Sequence, residues 1–91
     1  MKFTKNADVN MTSLQGYVPA RYQRLVEVFG EPDELGGDKT TAEWCLAFED
    51  GTVATIYDWK EYSTPQGLYQ WHVGGMSKLA VARVQQALQR A

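Results

Sequence analysis

The stretch "TAEWCLAFEDGTVATIYDWK", residues 41–60, constrains this chain more than any other. Two runs rich in β-branched and aromatic residues flank Asp50-Gly51, a pair that favours a tight hairpin because both residues tolerate left-handed backbone. A two-residue loop sets Phe48 opposite Val53, Leu46 opposite Thr55 and Trp44 opposite Tyr57. One face then carries Trp44, Leu46, Phe48, Val53 and Tyr57, and the other Cys45, Ala47, Ala54 and Ile56. Helices can approach closely over the small face, while the bulky face either packs as well or binds something.

The flanking segments supply the rest of the fold. In "VPARYQRLVEVFGEP", Pro19 suits a first helical position, and Tyr22, Leu25, Val26 and Phe29 recur as one apolar stripe. Gly30 and Pro32 stop that helix after about ten residues. "GEPDELGGDKT" reads as a loop. "LYQWHV" reads as a third strand, with Tyr69, Trp71 and Val73 on one face and Leu68, Gln70 and His72 on the other; Gly74-Gly75 ends it. Ser77 is an N-cap for a second helix, whose stripe is Val81, Val84 and Leu88 with Ala80, Ala87 and Ala91. Residues 1–16 are read as an extended arm or edge strand around "KFTK". The expectation is one α+β domain over residues 1–91: a three-stranded antiparallel sheet flanked by an N-terminal and a C-terminal helix.

Composition narrows the function classes. With 91 residues, 44% of them apolar and eleven aromatic, the chain has enough for one core and little for a deep cleft. No run approaches the ~20 apolar residues of a membrane span, and the N-terminus lacks the apolar segment of a secretory signal. One cysteine, Cys45, excludes an internal disulfide, and together these features indicate the cytoplasm. The net charge of −2 is unevenly distributed: residues 27–50 hold eight acids against Lys39 alone, a local −7. Such a patch steers basic partners, or is simply a solvated loop and hairpin edge. The scattered bases and a pI near 5.2 give no nucleic-acid footprint.

Catalytic and metal chemistry find little support. His72 is the only histidine; Asp58 and Glu61 are the carboxylates near enough in sequence to orient it, and Cys45 lies on an apolar face where a thiol is an inert filler. One His and one Cys without a paired spacing give no zinc site, and "EPDELGGDKT" lacks the alternating ligands of a calcium loop. Neither Gly36-Gly37 nor Gly74-Gly75 has phosphate-loop spacing, although the second pair precedes a helix start, beside Lys78, where an anion could sit. No enzyme activity and no cofactor are expected. Tyr57, Trp59, Tyr62, Tyr69 and Trp71 fall within fifteen residues, either as core or as an exposed patch of the kind that forms interface hot spots.

"SLQGYVPARYQRLVEVFGEP", "AEWCLAFEDGTVATIYDWKEY" and "WHVGGMSKLAVARV" together resemble a family of small phage-encoded proteins, over about residues 13–85. That resemblance implies a phage accessory product, a class that includes inhibitors of host defence such as anti-CRISPR proteins; it brings no assigned catalytic residues. The expected activity is binding and inhibition of a host protein with a basic surface, in the host cytoplasm, by a monomer or homodimer. The acidic set Glu31, Asp33, Glu34 and Asp38 would steer the encounter, and Trp59, Tyr62 and Tyr69 would anchor it. The alternative is an oligomeric small-ligand or nucleotide binder, with Trp59 or Trp71 stacking a base and Lys60, Lys78 or Arg83 meeting phosphate.

Overall fold

A computed structural model describes residues 1–90. In chain order the elements are β1 (Phe3–Thr4), β2 (Ser13–Ala20), α1 (Tyr22–Phe29), β3 (Glu34–Leu35), β4 (Ala42–Phe48), β5 (Val53–Tyr57), β6 (Tyr69–Gly75) and α2 (Leu79–Arg90). The α+β class is as expected, but the sheet has six strands, all antiparallel, instead of three. Their order is β1-β4-β5-β6-β2, and β3 shares the outer edge of β4 with β1. The three expected strands, β4, β5 and β6, form its centre.

The missed strand of consequence is β2. Its Pro19 lies within the strand, opposite Gln70, and does not start a helix. Proline is tolerated there because β2 is an edge strand, pairing only with β6, so one row of its backbone groups needs no ladder partner. The helix accordingly begins later, at Tyr22, after Arg21 in extended conformation. Its end is where glycine is required: Gly30 has φ +82° and donates its N–H to Val26 O at 2.8 Å. The segment "KFTK" does form an edge strand, β1, on the opposite side of the sheet from β2.

The hairpin register is shifted by one residue from the two-residue expectation. Phe48 N–H donates to Thr52 O at 2.8 Å and Gly51 N–H to Phe48 O at 2.9 Å, so the connection is Glu49–Gly51, three residues with Gly51 at φ +90°. Trp44 therefore faces Ile56, Leu46 faces Ala54, and Cys45 faces Thr55. A one-residue slip exchanges the faces of one strand relative to the other, so Tyr57 lies opposite Glu43 and away from Trp44.

The slip also mixes the two expected faces: the helices cover Trp44, Leu46 and Phe48 together with Ala54 and Ile56, while Val53 and Tyr57 turn to the opposite side. The core there holds Val18, Leu25, Phe29, Trp44, Leu46, Ile56, Trp71, Val73, Ala80 and Val84, with Tyr22, Val26, Val81 and Leu88 packed against it. Trp44 and Trp71 meet edge to face at 5.6 Å. Their indole N–H groups donate to Gly30 O (2.8 Å) and Ala20 O (3.0 Å), carbonyls at the two ends of α1. The same two rings thus fill the core and fix the helix at both ends. α2 is held to the hairpin tip by Arg83, whose Nε lies 2.8 Å from Asp50 Oδ2. No helix among the described residues is long and apolar enough to cross a membrane.

Candidate functional site

The helices lie on one face of the sheet, and register determines what the other carries: partly exposed side chains beside the buried Cys45 and Thr55. Glu34 pairs with Glu43, Glu43 with Tyr57, Tyr57 with His72, and His72 with Tyr17. Directly opposed residues share a face, so these five side chains form one row across β3, β4, β5, β6 and β2. It starts acidic and becomes aromatic. The neighbouring row is small: Cys45 faces Thr55, and Thr55 faces Gly74.

The aromatic half is a contiguous set of rings. His72 lies between Tyr17 (centroids 4.9 Å) and Tyr57 (5.2 Å), and Tyr57 meets Trp59 at 6.3 Å. Tyr17 is 49% exposed and Trp59 42%. The His72 Nδ1 is buried without a hydrogen-bond partner. Burial lowers the pKa of this imidazole, against the opposing pull of Asp58 and Glu61, so the neutral form is favoured.

The acidic half centres on Glu43. Glu34, Glu43 and Cys45 place one ligand atom each within 4.8 Å of one another. Desolvation, then the Glu34 charge, raises the pKa of Glu43. Burial and the three surrounding carboxylates push the Cys45 thiol up to about 12, so it is a protonated filler and not a thiolate. Among the described residues no hydrogen bond joins Cys45 to His72; the thiol lies 3.9 Å from Glu43 Oε2.

Between the two halves is a shallow depression of about 220 Å³, lined by Glu43, Tyr57 and Trp59 with Thr40, Thr55 and Gly74. Gly74 keeps its floor low: a Cβ there would lie 2.5 Å from Thr55 Oγ1. Small-molecule pockets span roughly 300–1,000 Å³, so this one suits a single side chain better than a cofactor. A hollow of similar size, about 220 Å³, opens between Phe3, Val28, Phe48 and Ala87, but it is a seam of the helix layer and its Arg83 is engaged with Asp50.

The residues singled out from sequence do not form one surface. Asp33 is structural: its side chain is 3% exposed, its Oδ2 accepts the Cys45 N–H at 2.7 Å, and its Oδ1 lies 3.4 Å from Lys5 Nζ. Glu31, Glu34 and Asp38 are not buried and make no ion pair among the described residues. Tyr69 sits on the helix side against Trp71 at 5.1 Å, with its hydroxyl 3.3 Å from Trp59 N and 3.4 Å from Glu61 Oε2. Tyr62 is fully exposed in the β5–β6 loop. Trp71, a candidate base stacker, is buried and hydrogen-bonded, and Lys78 Nζ is turned to Gln15 O at 3.3 Å.

Sequence reasoning missed Tyr17, Glu43 and the partnership of Tyr57 with His72, because each depends on the pairing of strands far apart in the chain. Asp58 was expected only as a carboxylate near His72; it is in fact completely buried and bonded elsewhere. Asp58 Oδ1 accepts the N–H groups of Thr41 (2.7 Å) and Ala42 (3.2 Å), and its Oδ2 accepts the Thr41 hydroxyl at 2.6 Å. That hydroxyl, its proton committed, accepts in turn from Thr64 Oγ1 at 2.6 Å. The two loops beside Trp59 are thereby fixed to the sheet. Comparison with family models, curated proteins and solved structures returns no match to this chain.

Proposed function

We propose that this chain is a binding protein that occupies and inhibits a partner protein through the sheet face opposite its helices. The observation that carries this is the cross-strand row Glu34–Glu43–Tyr57–His72–Tyr17 on a sheet braced from behind by two helices. Rigid aromatic rings lose little entropy on binding and act as anchors, while neighbouring carboxylates select a basic surface and speed encounter. Trp59 and the exposed Tyr62 extend the aromatic area, and Glu31 and Asp38 extend the acidic one. The motif resemblance supports a host protein as the partner, with a CRISPR or other defence component as the first class to try.

The test is capture from host lysate with the tagged chain and with a Trp59→Ala plus Tyr62→Ala variant, at low and high salt. One stoichiometric protein, released by salt and lost at least about tenfold in the variant, is the expected result. Equal recovery by chain and variant would overturn the role of the aromatic face.

A further inference from the structure

We infer that the depression between Glu43 and Trp59 is a socket for a single arginine side chain of a partner protein. This rests on the protein-binding reading above and specifies the chemistry of its contact.

Four observations converge on a guanidinium. Tyr57 and Trp59 give the depression aromatic walls, and an aromatic ring attracts a cation over its face or a planar guanidinium in stacking. Glu43 supplies a carboxylate at its border, the geometry a guanidinium meets with two parallel hydrogen bonds. Neither Glu43 nor the neighbouring Glu34 makes an ion pair among the described residues, and the hydrogen bond Glu43 accepts is a long one from the Cys45 thiol at 3.9 Å, so a cation from outside can pair with them. Thr40, which also borders the depression, adds a hydroxyl acceptor for a remaining N–H group of the fork.

The chain itself uses this ring for a cation. Lys39 Nζ lies 5.9 Å from the Trp59 centroid, yet Lys39 borders the adjoining hollow beside Lys60 and Tyr62, not the one at Glu43. Trp59 thus meets an ammonium of its own chain and also borders the depression that holds Glu43. Arginine fits that depression better than lysine because its plane matches the ring and its fork matches the carboxylate.

The probe is acetyl-Gly-Arg-Gly-amide, titrated while the indole N–H resonances are followed, with the citrulline peptide as the uncharged isostere. Trp44 and Trp71 are buried and donate to backbone carbonyls, so Trp59 is the exposed reporter and the other two report on the core. A saturable shift of the Trp59 resonance is expected, with a dissociation constant on the order of millimolar. Citrulline should bind about tenfold more weakly, and Glu43→Gln should weaken the arginine peptide about fivefold to tenfold. Unmoved Trp44 and Trp71 resonances would show the variant to be folded. No Trp59 shift, equal shifts with citrulline, or indifference to Glu43→Gln would each overturn the socket. Lysate capture separates the two levels. A partner captured equally by Glu43→Gln would sink the socket alone, whereas peptide binding without any captured partner would leave the socket and sink the protein-binding reading.

Discussion

Asp58 shows how much one side chain does here. It is fully buried and accepts three hydrogen bonds from residues 41 and 42, so truncation leaves buried donors without partners. Asp58→Ala should cost about 3 kcal/mol, read by urea denaturation, and should loosen both loops beside Trp59 in hydrogen exchange. His72 makes a prediction in pH. Its folded pKa is depressed, so the unfolded chain binds the proton more readily. Stability from this site is complete above the unfolded value of about 6.5 and is lost as pH falls through the folded value. Melting curves at pH 7.5 and 5 should therefore converge in His72→Phe relative to the parent chain. Parallel behaviour of the two proteins would contradict the desolvation of the imidazole. Both residues were visible in the sequence, His72 as the lone histidine and Asp58 as a carboxylate near it. Their roles were not, because burial and pairing with residues of other strands and loops belong to the folded state.

Among elements, the hairpin is the clearest case of a strong local signal with an ambiguous detail. Asp50-Gly51 marked the turn correctly, but two-residue and three-residue loops share that pair, and only the hydrogen bonds of Phe48 with Gly51 and Thr52 separate them. Gly51 takes the left-handed position, and no heavy atom lies within 4 Å of where a methyl group would sit, so Gly51→Ala carries conformational cost alone. Thermal or chemical denaturation should show a loss of about 1 kcal/mol. Gly67→Ala, equally open but without a positive φ, should stay within about 0.5 kcal/mol. An equal effect of the two substitutions would remove the left-handed turn. The opposite lesson comes from β2. Pro19 and Gly16 depress its strand signal, and its edge position, which makes proline harmless, is a property of the whole sheet.

At the scale of the molecule, the acidic segment divides into a part that folds the protein and a part free to bind. Asp33→Lys would remove the acceptor of the Cys45 N–H and bury a second ammonium beside Lys5, a loss of about 3–5 kcal/mol. Glu31→Lys with Glu34→Lys, on residues outside the core, should change the stability far less, yet should reduce lysate capture and its salt dependence. Equal destabilisation by both changes would refute this division. The periodic elements are legible in the chain alone: the stripe of α1 and its Gly30 stop, the strands β4, β5 and β6, the turn at Gly51, and α2 after Ser77. These follow from local spacing and backbone preference, which act over a few residues. It takes the folded chain to show that β2 closes one edge, that Trp44 and Trp71 lie under the helices with Ala54 and Ile56, and that Glu34, Glu43, Tyr57, His72 and Tyr17 stand in one row. Those are matters of register between strands far apart in the chain, such as Leu14 with Gly74 and Tyr17 with His72, and no local preference sets them. Burial of the two hydrogen-bonded tryptophans on one face leaves the aromatic and acidic row on the other.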